Sequence, residues 1–161
     1  MEKGDADVKD MPQASAALTA YAEVVDNLMR WQSKIEEALG YEPGLHTFDD
    51  VCIMVMRGQL QLYSFPKSFA LMEVKVYSQA KAYHCFIAGG ELAEVIASQD
   101  KIIGMAKLYG CSLVTLAGRK GWERAFRDTD WKPLCTVLYK HIDADPILHE
   151  IGVLGDENGK G

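Results

Sequence analysis

The sequence has no apolar run long enough to cross a bilayer, so no membrane-spanning helix is expected. A basic start followed by an apolar stretch is also missing. The first residues, Met1-Glu2-Lys3-Gly4-Asp5-Ala6-Asp7, are polar and largely acidic, which excludes a secretion signal of the usual form and makes the cytoplasm the expected compartment. Cysteine is scarce and dispersed. Cys52, Cys85, Cys111 and Cys135 include no pair at metal-ligand or redox spacing, so reduced, mostly buried thiols are expected. His46, His84, His141 and His149 lack mutual ligand spacing, and no metal site is expected. Positive charge is in deficit: the formal net charge of −6 argues against a general affinity for nucleic acid, whose phosphates need a basic surface. There is no internal repeat and no low-complexity tract.

What is present is the composition of a globular domain, 48% hydrophobic and 25% charged over 161 residues, enough for one core and too little for two. Residues 1–13 are polar and read as a flexible tail, residues 14–142 as a single domain, and residues 143–161 as a C-terminal tail. The last of these includes Pro146-Ile147-Leu148 and Ile151-Gly152-Val153-Leu154, apolar enough to dock on another chain. From Ala14 to Leu39 the residues Leu18, Tyr21, Val25, Leu28, Met29, Ile35 and Leu39 recur at three- and four-residue steps, which predicts a long amphipathic helix stopped by Gly40. Thr47 with Asp50 three residues on predicts a capping box and a second helix running to Gly58.

Between Gln59 and Ile87 the period changes to two: Leu60 and Leu62, then Met72, Val74 and Val76, then Tyr83, Cys85 and Ile87. Turn residues around Pro66 and Ser78 separate these runs and predict three consecutive antiparallel strands. A helix over 92–108 follows, stopped by Gly110, then a short strand over Ser112–Ala117, a short helix over Gly121–Asp128, and a last strand from Leu134 to Ile142. The fold class is α+β.

The stretch Cys85-Phe86-Ile87-Ala88-Gly89-Gly90-Glu91-Leu92 runs a strand through two glycines into a helix. Backbone N–H groups at a helix start are unpaired and glycine admits close approach, so the junction suits either an anion or a tight turn. Arg119, Lys120, Arg124, Arg127 and Lys132 outnumber the acids around them, enough to hold one anionic group. Trp122, among these cations, is expected to pack in the core with a cation on its ring. His84 and Cys85 are neighbours on a strand and point to opposite faces, which rules them out as a nucleophile and its base. Asp49-Asp50 and Glu36-Glu37 are adjacent on helices and read as solvated surface.

Helix, helix, three antiparallel strands, helix, strand, helix, strand resembles the GCN5-related N-acetyltransferase fold over residues 47–142. The segment Gly118-Arg119-Lys120-Gly121-Trp122-Glu123-Arg124 after the Ala-Gly-Gly strand end is similar to small acetyltransferase-like proteins encoded by tailed bacteriophages. The resemblance implies a mostly antiparallel central sheet flanked by helices, with an added N-terminal helix. It also implies an acyl-CoA site at Ile87, Ala88, Gly89 and Gly90, joined by Arg119 and Lys120.

The sequence departs from the family twice. The basic, glycine-rich pyrophosphate loop is reduced to Ala88-Gly89-Gly90-Glu91, with Glu91 adding a negative charge, and Phe126 stands where many members carry a proton-donating tyrosine. Tyr109 and Tyr139 read as core-edge residues, so no catalytic residue is assigned. The expectation is a degenerate acetyltransferase-like phage protein with an assembly, virion-associated or interaction role. It would be found in the host cytoplasm or the virion and bind other phage or host proteins, without nucleic acid or membrane. The alternatives are an acetyl-CoA-dependent N-acetyltransferase acting on a small or protein amine, and an inhibitor of a host protein.

Overall fold

The structure, a computed structural model, describes residues 11–142, with side chains from residue 14 onward. The chain divides into two units, Met1–Trp131 and Lys132–Gly161. Among the described residues, the first carries the regular structure: helices α1 (Met11–Leu39) and α2 (Phe48–Met56), strands β1 (Gln61–Ser64), β2 (Ser68–Val76) and β3 (Lys81–Gly90), helices α3 (Leu92–Ala97) and α4 (Gln99–Leu108), strand β4 (Leu113–Leu116) and helix α5 (Gly121–Ala125). No helix among the described residues is long and apolar enough to cross a membrane.

Helix α1 begins at Met11, three residues ahead of the expected start, because Pro12 lies in the first turn, where a missing N–H costs no helical bond. Helix α2 starts as expected. The Thr47 hydroxyl accepts the Asp50 N–H and the Asp50 carboxylate accepts the Thr47 N–H at 2.8 Å, closing both arms of the capping box.

The helix expected over 92–108 is broken into α3 and α4 at Ser98, whose hydroxyl donates back to the Val95 carbonyl at 2.7 Å. A serine bonding its own preceding turn competes with helix continuation. The positive φ of Gly110, 71°, then ends α4.

The sheet runs β1-β2-β3-β4, antiparallel between the first three strands and parallel between β3 and β4. It is therefore mixed, where a mostly antiparallel sheet was expected. The helical crossover α3–α4 returns the chain to the starting end of β3, so β4 must run alongside β3 in the same direction.

Side chains on β2 alternate between two packed faces. Phe69 and Leu71 point toward α1 and α2, and join Leu28, Trp31, Ile35, Leu39, Phe48 and Val51 in one cluster. Ala70 and Met72 point the other way and meet Tyr83, Cys85 and, from α4, Ile102 and Ala106. Ile35, Val51, Phe69 and Leu71 are fully buried, each burial contributing about 1.5–3 kcal/mol.

On β3 the register slips: Leu71 faces Ile87 while Met72 faces Cys85, so Phe86 is an extra residue. This bulge turns Phe86 toward the α1–α2 side.

The second unit is described over 132–142, where no strand forms although one was expected over Leu134–Ile142. Leu134, Val137, Leu138, Tyr139 and Ile142 are exposed. Strand-forming residues adopt a strand only when a neighbouring backbone takes up their ladder bonds, and composition alone does not supply it. Of the tails expected over 1–13 and 143–161, residues 11–13 belong to α1, and 1–10 and 143–161 lie outside the described residues.

Candidate functional site

At the corner between β3 and α3 the double glycine sits against the chain's own backbone. Gly90 has φ of 100°, and a Cβ there would come within 2.3 Å of the Lys67 carbonyl oxygen. A Cβ on Gly89 would meet the Phe69 ring at 2.8 Å. Glycine at both positions lets β2 and β3 close on each other and on the aromatic ring beneath them.

The Glu91 amide and both acids of the corner are engaged as well. The Glu91 N–H donates to the Lys67 carbonyl at 3.0 Å. The Glu94 carboxylate accepts the Lys67 N–H at 2.9 Å and the hydroxyl of fully buried Ser68 at 2.5 Å. Glu91 also pairs with the Lys67 ammonium at 3.2 Å. Two carboxylates thus occupy the opening turn of α3, tying it to the start of β2.

Of the six residues expected to form one site, Ile87, Ala88, Gly89 and Gly90 end β3, while Arg119 and Lys120 lead into α5. Ile87 is buried in the α1–α2 cluster, and Ala88, on the other face, lines an apolar cavity. Arg119 donates to the Tyr41 hydroxyl at 2.7 Å and lies 4.5 Å from the centre of that ring, while Lys120 is exposed at the start of α5. Among the described residues no cation lies over Trp122; Arg119 stands over Tyr41, in the loop between α1 and α2. Trp122 stacks on Phe126, which in turn packs 4.9 Å from Trp131.

Phe126 and its two tryptophans wall the cavity of about 50 Å³, with Met72, Cys85 and Ala88 from the sheet and Val95 and Ile102 from α3 and α4. It has room for a few water-sized groups. Burial pushes the Cys85 thiol up to about 12, so it stays protonated there and is a poor nucleophile.

A polar feature that sequence reading passed over lies on the opposite face. His84 Nδ1 and Thr115 Oγ1 are 2.8 Å apart across the parallel pairing of β3 and β4. Burial holds the imidazole below its ordinary value, the Lys75 ammonium adds to this, and Glu73 opposes it, so the ring is neutral at pH 7 with Nε2 left over. His84 and Cys85 do point to opposite faces, as strand geometry requires.

Nearby, His46 in the α1–α2 loop pairs with Glu42 at 3.1 Å and meets the Phe86 ring edge-on at 5.0 Å. The signal for this face was the slipped register at Phe86, which sequence periodicity does not carry.

The tyrosines divide in the same way. Tyr109 packs 5.4 Å from buried Tyr83, a core-edge position as expected, and the Tyr83 hydroxyl meets that of Tyr63 at 2.8 Å. Burial raises the pKa of both Tyr63 and Tyr83. Tyr139, expected at a core edge, is exposed.

No family model matches the sequence, and no curated protein matches it. Among solved structures, the chain is similar to a Trypanosoma brucei acetyltransferase at 12% identity and a TM-score of 0.49, covering 73% of this chain and 94% of that one. It is also similar to a protein from Thermus thermophilus, at 17% identity with TM-scores of 0.48 for a point mutant and 0.46 for the wild type, covering 68% of this chain and 88% of that one.

Proposed function

We propose that this chain is an acetyltransferase-like domain that works by binding another protein and has lost acyl transfer. The observation that carries this reading is the state of the β3–α3 corner. A coenzyme pyrophosphate would need free amides and positive charge there. Instead the Glu91 N–H is taken by the Lys67 carbonyl, and Glu91 and Glu94 put two carboxylates, which repel an anion, in the first turn. Arg119, one of the two cations expected at the site, is held on Tyr41. Titrating acetyl-CoA against the full chain while following its melting temperature tests the reading. Bound coenzyme at a hundred times its dissociation constant would add about 2.7 kcal/mol, whereas a flat response is expected.

A narrower form of the proposal rests on the resemblance of the Gly118–Arg124 segment to phage-encoded proteins, and assigns the binding role to virion assembly or to inhibition of a host protein. Finding the chain at a fixed copy number in purified particles supports assembly; finding it only in the infected-cell lysate removes assembly and leaves inhibition of a host protein.

His84 favours the enzymatic alternative. A neutral, half-buried imidazole whose Nδ1–H donates to Thr115 leaves its Nε2 lone pair to take a proton from an amine. In an acetyl-CoA-dependent N-acetyltransferase, His84→Gln would lower kcat and leave acetyl-CoA binding intact.

A further inference from the structure

The backbone of residues 117–131 bonds only to itself among the described residues. The N–H groups of Trp122, Phe126, Arg127 and Thr129 donate to the carbonyls of Arg119, Trp122, Arg124 and Phe126, all inside the stretch. The ladder between β3 and β4 ends at Leu116, one residue before it begins.

Two side-chain bonds cross its boundary, one near each end. The Arg119 guanidinium donates to the Tyr41 hydroxyl at 2.7 Å and lies over that ring, and the Trp131 indole N–H donates to the Gln99 side-chain oxygen at 3.2 Å. Tyr41 is 61% exposed and Arg119 is exposed as well, so water competes for the first contact.

Between these corners the stretch is held by its aromatic wall. Phe126 is its one buried residue, with Trp122 and Trp131 half-buried beside it. The three rings face the cavity of about 50 Å³ instead of a filled layer, so part of the wall's inner surface has no atoms to touch. Gly118 adds no anchorage: a Cβ there would come within 2.5 Å of the Trp122 ring, a close approach that stays inside the stretch. The sheet beneath is built differently, with β3 paired to β2 over nine residues and Tyr83 fully buried.

We infer that residues 117–131 form a flap over the apolar cavity, latched at Arg119–Tyr41 and Trp131–Gln99, that opens as a unit while the sheet and α1 to α4 stay folded. Opening gives a route into the cavity and turns the faces of Trp122, Phe126 and Trp131 to solvent. The five residues of α5 are too few to hold a helix without the surface beneath them, so its amides lose protection whenever the wall lifts. The inference goes beyond the functional reading above and holds for a binding domain and an enzyme alike.

Hydrogen exchange of the full chain, followed by NMR at fixed pH, tests it. The molecule supplies its own reference: the Trp31 indole N–H donates to the Ser64 hydroxyl at 2.8 Å in the core, whereas that of Trp131 sits at a latch. The Trp131 indole and the Phe126 and Thr129 amides are expected to be protected at least about tenfold less than the Trp31 indole and the amides of Tyr83 and His84, at rates that low urea does not change. Tyr41→Ala and Gln99→Ala should each speed the flap protons about threefold and leave the Trp31 indole and the urea midpoint unmoved. Cys85, in the layer between the sheet and α4 with Ile102 and Ala106, should take up maleimide no faster in either variant.

Flap protons with the protection and urea dependence of Tyr83 would show that the stretch opens only with the whole domain, and flap protons with no protection would show that it never closes. Either result overturns the inference. So does an acceleration that the Trp31 indole or Cys85 shares, or the lack of any acceleration in either variant.

Discussion

Strand β3 pairs with β2 over nine residues, from Ser68↔Gly90 to Val76↔Lys81, and with β4 over only four, ending at Cys85↔Leu116. On the long side the backbones close until nothing larger than glycine fits between Gly90 and Lys67. On the short side the ladder stops before Phe86; within it His84 and Thr115 bond side chain to side chain on one face, and the aromatic wall of a cavity lies on the other. The same strand is thus sealed along one edge and open along the other. A glycine pair that looks like a ligand cradle in sequence belongs to the sealed edge, while the groups with unused hydrogen-bonding capacity lie toward the open one.

Substitutions on the two edges should separate them. Phe69→Ala, which removes a fully buried ring from beneath the Gly89 turn, should cost about 3–5 kcal/mol in urea denaturation. Gly90→Ala combines a disfavoured positive φ with a Cβ against the Lys67 carbonyl, and a loss of roughly 2–3 kcal/mol is expected. A loss under about 1 kcal/mol would mean that the corner is looser than described and could admit a ligand. Glu94→Gln keeps the shape but gives up a charged acceptor for the Lys67 N–H and Ser68 hydroxyl, with an expected cost of about 1–2 kcal/mol.

On the open edge the effects should be smaller. Thr115→Val should cost on the order of 0.5–1.5 kcal/mol, read by chemical denaturation at pH 7.5.

The smallest expected effect is a pH dependence. The folded pKa of His84 lies below its unfolded one, so the unfolded chain binds the proton more readily. This contribution to stability is complete above about pH 6.5 and is lost as pH falls below it. His84→Asn should flatten the part of the stability profile just under that pH; an unchanged profile would show that the ring is not desolvated.

Local chemistry was legible where it was self-contained. Thr47 and Asp50 close a capping box whatever surrounds them, and three runs of alternating residues became β1, β2 and β3. The stop at Gly110 needed only its own positive φ. What the sequence did not reveal depends on neighbours. The Phe86 bulge is a mismatch between two strands, and Arg119 finds Tyr41 across 78 positions of chain. The break at Ser98 turns on which of two competing bonds a hydroxyl makes. The stretch over 134–142 has the composition of a strand, but pairing is a property of two segments, and composition describes one.

The thiols offer a practical handle. Cys85 is buried and stays protonated, burial also raises the Cys52 thiol, and Cys135 stands exposed within 132–142. A maleimide applied briefly near neutral pH should therefore label Cys135 well before Cys85, attaching a fluorophore or spin label to the stretch after α5 without any engineered cysteine. The same reagent added during unfolding would reach Cys85 only when the sheet opens, so its uptake becomes a clock for the global transition.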